Sequence, residues 1–94
     1  MATVRCVFAA EIVMDPARGC SSHTHACTEL VHYVKGRGRL IQDGQELHYR
    51  PDLVSVYQPH QHHEDIPGTH TVQHCIGVSG CEAESLPPGM WPVN

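Results

Sequence analysis

Short apolar runs bounded by glycine, proline or aspartate follow one another along the chain. Residues 3–14 (TVRCVFAAEIVM) are rich in β-branched and apolar types and stop at Asp15-Pro16, which predicts one or two strands and then a turn. Residues 29–35 (ELVHYVK) predict another strand, ending at the Gly36-Arg37-Gly38 turn. The start of the chain therefore has an extended rather than a helical pattern.

The second half repeats this pattern. The dipeptide Asp43-Gly44 between RLIQ and QELHYR predicts a hairpin, and DLVSVY and HTVQHCIGVS predict two more strands. Residues 58–68 (QPHQHHEDIPG) between these two runs predict a loop, and residues 85–94 (SLPPGMWPVN) a loop or linker. About seven short strands at this spacing are typical of a sandwich or barrel, so the sequence predicts an all-β fold.

Composition limits the possible functions. With 94 residues the chain is long enough for one domain, and a net charge of −4 without a basic stripe argues against direct contact with nucleic acid. The five cysteines match neither a zinc ribbon nor a disulfide framework. No signal peptide and no apolar run of about 20 residues are found, so we expect a cytoplasmic protein without a membrane segment.

The histidines suggest chemistry. His23 and His25 are two residues apart, so on an extended strand both imidazoles point to one side and can share an ion. Glu29 has the same parity and joins them if the chain stays extended, and a bend at Ala26-Cys27 would equally bring its carboxylate in from the next strand. A fourth ligand would come from the histidine-rich loop after DLVSVY, which offers His60, His62 and His63. The pattern predicts a metal site.

These residues resemble two motifs of the cupin family. GCSSHTHACTELVHYVKG is similar to the first motif, with Gly19, His23, His25, Glu29 and Gly36 at the matching positions. YRPDLVSVYQPHQHHED is similar to the second, with Pro51-Asp52 in place of the usual Gly-Asp, Pro59 in place of the turn glycine, and His62 at the ligand position. His60 and His63 remain alternates.

The resemblance implies a single-domain cupin, that is, a double-stranded β-helix or jelly-roll barrel, over residues 1–85, with residues 86–94 as a Pro-rich tail or the start of a linker. It implies a divalent transition metal held by His23, His25, Glu29 and His62. Zn, Mn, Fe, Ni, Co and Cu all accept such ligands.

Two functions follow as hypotheses. The run ELVHYVKGRGRLIQDGQELHYRP and its continuation are similar to the N-terminal effector-binding cupin domain of AraC-type transcription regulators, which implies a small-molecule sensing module whose DNA-binding part lies outside these 94 residues. The alternative is a stand-alone metal-dependent enzyme (dioxygenase, isomerase or lyase) acting on a small metabolite. Four side chains are conceivable proton-transfer groups for that reaction: Tyr33, Tyr57, Glu64 and Asp65.

A homodimer is also expected. Leu30 and Val34 have the opposite parity to Glu29, so on a regular strand they lie on the outward face of the barrel. An apolar outward face is a liability unless a partner covers it.

Overall fold

The computed structural model describes residues 4–80, 83 and 85–93, and nine strands lie within them. All of them are joined in antiparallel pairs, which confirms the predicted all-β class. Their bounds are β1 Arg5–Met14, β2 Cys20–His23, β3 Thr28–Lys35, β4 Gly38–Gln42, β5 Gln45–Tyr49, β6 Leu53–Tyr57, β7 His63–Pro67, β8 Thr71–Ser79 and β9 Gly89–Pro92.

The strands form two sheets. The first has the order β1-β8-β3-β6-β9 and the second the order β2-β7-β4-β5. Consecutive strands such as β2 and β3 lie in different sheets, so the chain crosses repeatedly from one layer to the other, as in a jelly roll. β1 and β2 are each an edge strand of their sheet.

The predicted hairpin is present. Asp43 and Gly44 have φ values of 48° and 81°, and β4 and β5 pair on either side of them from Gln42–Gln45 to Gly38–Tyr49. Positive φ at both central residues is what a two-residue type I′ turn requires, and Asp-Gly adopts it with little strain.

Two expectations differ from the structure. Within the predicted loop 58–68, residues 63–67 form β7, which pairs with both β2 and β4. Within the predicted tail, residues 89–92 form β9 and pair with β6. Both segments contain proline, which lowers strand propensity, but Pro67 and Pro92 stand at the last position of their strands, where a missing N–H does little harm.

One half of the interior between the sheets is filled by aromatic and aliphatic side chains. The rings of Tyr33 and Tyr49 are stacked with centroids 4.1 Å apart, and both residues are buried. Leu40 is completely buried in the same cluster, and the first sheet also contributes Val31, Leu53, Tyr57 and Cys75. This cluster joins the two sheets by burying apolar surface between them.

Candidate metal centre

Four side chains from three parts of the chain converge at one end of the interior. They belong to His23, His25, Glu29 and His63, and one possible ligand atom from each lies within 4.8 Å of the others. The three imidazole rings are close neighbours, with centroid separations of 4.1 Å (His23–His63), 4.8 Å (His23–His25) and 5.4 Å (His25–His63). This is the arrangement expected of ligands around one ion.

The strands explain the convergence. His23 ends β2 and lies directly opposite His63, the first residue of β7. Glu29 is on β3 in the facing sheet, where it alternates with outward residues and points inward with Val31 and Tyr33. His25 lies in the connection between β2 and β3, just before the bend at residues 26–27 where the chain passes from one sheet to the other.

His62 does not join the other three. It is exposed, and its backbone N–H donates to Asp43 Oδ1 over 3.0 Å, outside the cluster. His63, the next residue, is only 3% exposed and faces inward from β7. His60 is also exposed, in a turn with a φ of 67°. The structure therefore brings His63, one of the two alternates, into the position that the motif resemblance assigned to His62, because this segment is a strand in which adjacent side chains point to opposite faces.

Hydrogen bonds to backbone carbonyl groups determine which ring nitrogen of His23 and of His63 is available to bind a metal. Nδ1 of His23 lies 2.7 Å from the carbonyl oxygen of Ser21, and Nδ1 of His63 lies 3.2 Å from that of Gln61. A carbonyl oxygen only accepts, so each Nδ1 carries the proton and donates it. Each Nε2 is left with a free lone pair, and an outer partner of this kind is usual for metal-binding histidines.

The buried Nε2 of His63 has no hydrogen-bond partner in the described part of the structure. It lies 3.0 Å from Glu29 Oε1, but with the proton on Nδ1 both of these atoms are acceptors and form no hydrogen bond. Nε2 of His25 is 3.6 Å from the same carboxylate oxygen. A buried polar atom without a partner costs about 1–3 kcal/mol, and an ion between these atoms would supply the missing interaction. The donor set thus fits a transition metal.

The electrostatics of His25 agree with this role. Burial lowers the pKa of His25 below its ordinary value, the imidazoles of His23 and His63 add to the lowering, and the Glu29 carboxylate opposes it. A lowered pKa favours the neutral imidazole, which is the form that binds metal. Glu29 itself is 6% exposed, so its charge lies in a site largely shielded from water.

A cavity of about 290 Å³ adjoins the cluster. Its apolar side includes Phe8, Ala10, Ile12 and Val31, from strands β1 and β3. The Phe8 ring packs over Gly77, where a Cβ would come within 2.1 Å of it, and its centroid lies 5.4 Å from that of His25. Glycine at this position gives the aromatic ring room beside the candidate ligands.

The polar side of the cavity centres on Asp65. Its carboxylate accepts hydrogen bonds from Tyr33 OH at 2.9 Å and from Gln73 Nε2 at 3.2 Å. Burial raises the pKa of Asp65 above its ordinary value, although the two hydrogen bonds and His63 oppose this. Of the four side chains considered for proton transfer, Asp65 and Tyr33 are hydrogen-bonded to each other beside the cluster, whereas Glu64 lies on the opposite side of β7.

Two cysteines also line the cavity. Sγ of Cys20 is 3.6 Å from Nδ1 of His23, and Sγ of Cys75 donates to Gln73 Oε1 at 3.1 Å. Burial, with the nearby charges of Glu29 and Asp65, raises the pKa of Cys75 to about 12, so this thiol is protonated at neutral pH. The inward parity of Gln73 and Cys75 on β8 was available in the sequence, but neither residue falls in a motif.

Solved structures share this fold, whereas the sequence matches no protein-family profile and no curated protein. A cupin protein of Bacteroides fragilis, BF4112, superposes with a TM-score of 0.69 at 17% identity, over 86% of this chain and 70% of that one. YhaK of Escherichia coli gives a TM-score of 0.78 at 11% identity, over 97% of this chain but 44% of that one. SPY1581 of Streptococcus pyogenes, a protein of unknown function, gives 0.72 at 10% identity, over 84% and 75%.

At these identities the likeness concerns the fold alone. The chain has the cupin fold in a single small domain, as the motifs predicted. No helix among the described residues has the length and apolar character needed to cross a membrane.

Proposed function

We propose that this domain binds a divalent transition metal through His23, His25, Glu29 and His63 and uses it to bind a small molecule. The observation that carries the proposal is the buried Nε2 of His63, which points into the cluster without a hydrogen-bond partner among the described residues. Three imidazoles and one carboxylate suit Zn, Mn, Fe, Ni, Co and Cu.

Four protein ligands leave open positions on a six-coordinate ion. When bound, the metal would act as a Lewis acid or hold an oxygen-containing group of the small molecule. The protein's own contribution is to favour the neutral form of the His25 imidazole, to orient the rings of His23 and His63 through Ser21 and Gln61, and to exclude much of the surrounding water. The adjoining cavity provides space for the rest of the molecule.

Among the uses of such a site we favour sensing, as in the N-terminal domain of AraC-type regulators. The small molecule would then be an effector, and DNA binding would be performed by helices outside residues 1–94. The departure from Gly-Asp at Pro51-Asp52, together with the motif similarity, supports this choice over catalysis. The domain would work in the cytoplasm as a homodimer. The exposed fractions of Val34 (40%), Ile76 (38%) and Trp91 (47%), on the outer side of the first sheet, support a second copy covering that surface.

A metal-dependent enzyme is the second candidate, and one observation favours it. Asp65 lies on the wall of the cavity and accepts a hydrogen bond from the buried Tyr33 behind it, and burial raises the pKa of Asp65. A carboxyl group that holds its proton more tightly than usual is suited to general acid–base catalysis. The isomerase and lyase reactions need such a group, whereas an effector site does not.

The metal content of the purified protein tests the shared part of both candidates. The protein is prepared without added metal or chelating resin and compared with His23→Ala/His25→Ala. The matched control is His48→Ala/His74→Ala, which removes two exposed histidines outside the cluster. We expect near one equivalent of a transition metal in the wild type and the control, and almost none in the first variant. Equal metal content in all three proteins would contradict the proposal.

A further inference from the structure

We infer that the small molecule bound here is uncharged apart from its metal-binding group and carries a compact apolar body. This inference rests on the function proposed above. It follows from the charges and the surface of the cavity beside the metal ligands, which at about 290 Å³ is at the small end of ligand pockets.

No positive side chain reaches the interior. The chain has six lysines and arginines, all of them within the described residues, and none lines the cavity. Every one of them is exposed: Arg5, Arg18, Lys35, Arg37, Arg39 and Arg50. Among the described residues, the carboxyl groups in the cavity wall are those of Glu29 and Asp65. In this part of the chain no side chain competes with the metal as a source of positive charge for a bound molecule.

A second anionic group on the ligand would have no cationic partner among the described residues. The side-chain amide in the cavity wall, Gln73 Nε2, donates to Asp65, and Tyr33 OH donates to the other oxygen of that carboxylate. An ionised group taken out of water without a partner carries a large free-energy penalty. Dicarboxylates and phosphate esters are disfavoured on this ground, although they are good metal chelators.

The remaining wall favours an apolar body. Phe8, Ala10 and Ile12 lie on alternate positions of β1, all facing the cavity, and Val31 faces them from β3. Ile12 is nevertheless 37% exposed, because β1 is the edge of its sheet and covers the cavity only in part. An apolar ligand placed against β1 would remove this surface from water, which contributes about 25 cal/mol for each Å² buried.

Two probe acids test the inference. Pentanoate and glutarate have the same carbon chain and one carboxylate to offer the metal, and they differ only in whether the far end is a methyl group or a second carboxylate. The protein is loaded with Co²⁺, whose visible absorption changes when a ligand enters its coordination sphere, and each acid is titrated at neutral pH. We expect glutarate to bind at least about tenfold more weakly than pentanoate.

A charge placed on the cavity wall sharpens the test. Ile12→Lys puts an ammonium group at the inward-facing rim, where a partly exposed position accepts the long side chain. Ile12→Met has a similar length without the charge and is the matched control. We expect Ile12→Lys to tighten glutarate binding by about tenfold and Ile12→Met to leave the preference for pentanoate in place.

The outcomes separate the two claims. If Co²⁺ binds in one equivalent and glutarate binds as tightly as pentanoate, or if neither acid changes the spectrum, the ligand class inferred here is overturned and the metal site stands. If the protein binds no Co²⁺, the proposed function fails and this inference fails with it.

Discussion

The interior has a tyrosine end around Tyr33, Tyr49 and Leu40 and a metal end that contains the candidate ligands His23, His25, Glu29 and His63. The two ends differ in what surrounds their buried polar atoms. At the tyrosine end, Tyr33 OH donates to Asp65 and Tyr49 OH is 2.7 Å from Thr71 Oγ1, so each hydroxyl has a partner within the protein. At the metal end, the Nε2 atom of His63 is buried without one. Among the described residues Tyr57 OH and Ser55 Oγ are also buried without a partner, so the His63 atom is distinguished by the three other possible ligands that surround it.

The two ends therefore have different roles: the tyrosine end maintains the fold, and the fold in turn positions the candidate ligands. Stacked tyrosines and Leu40 join the two sheets by burial of apolar surface, which needs no ligand. Converging imidazoles add little apolar burial and leave polar atoms unpaired, which opposes folding. Substitutions at the two ends should therefore have separable effects on stability and on metal content.

The largest effect on stability is expected at the tyrosine end. Leu40→Ala removes a completely buried side chain between the sheets and should lower the free energy of unfolding by about 2–5 kcal/mol. Leu47→Ala, at the half-buried residue directly opposite on β5, is the control and should cost clearly less. Urea unfolding gives both values, and metal content per folded molecule should stay at the wild-type level. A loss of metal from folded Leu40→Ala would show that the two ends are not separable.

A smaller, pH-dependent effect is expected at Asp65, which lies between the two ends. Its pKa is raised in the folded protein above the ordinary value of 3.8, so the folded state keeps this proton to higher pH than the unfolded state. Between these two pKa values the folded state binds more protons, and stability from this group is lost as pH rises. Asp65→Asn removes the titration while retaining a side-chain oxygen that can accept from Tyr33.

Unfolding with a chelator present measures this effect. Across the acid range from about pH 4 upward, the wild type should lose stability relative to Asp65→Asn. Glu64→Gln, one position along β7 on its other face, is the matched control for a change of charge on the same strand. If the wild type instead gains stability over Asp65→Asn as pH rises, beyond any change in the control, the carboxyl group is not held as described.

The sequence was informative where strand alternation and turn chemistry agree. The Asp43-Gly44 hairpin, the inward parity of Glu29 and the all-β class follow from local pattern, and each is present in the structure. The strand within segment 58–68 does not follow from local pattern, because the histidines and prolines of this segment suppress any apolar alternation. Its pairing with β2 and β4 is a long-range contact that local propensity does not encode.

The choice between adjacent histidines shows the same limit. A shift of one residue turns a side chain from one face of a strand to the other, so His62 and His63 differ completely in environment although they are neighbours in sequence. Only the register of β7 against Gln42 of β4 and His23 of β2 distinguishes them. The same limit applies to Phe8 and Ile12. The pairing of β1 with β8 fixes which face of β1 points inward, and this places both side chains on the cavity wall.

The most direct test of this account compares His63→Gln with His62→Gln. Both variants are purified without added metal or chelating resin, checked for wild-type circular dichroism, and analysed for bound transition metal by elemental analysis. We predict near one equivalent in the wild type and in His62→Gln and a nearly complete loss in His63→Gln, because only His63 is buried among the other ligands. Loss of metal from His62→Gln with retention in folded His63→Gln would contradict the account.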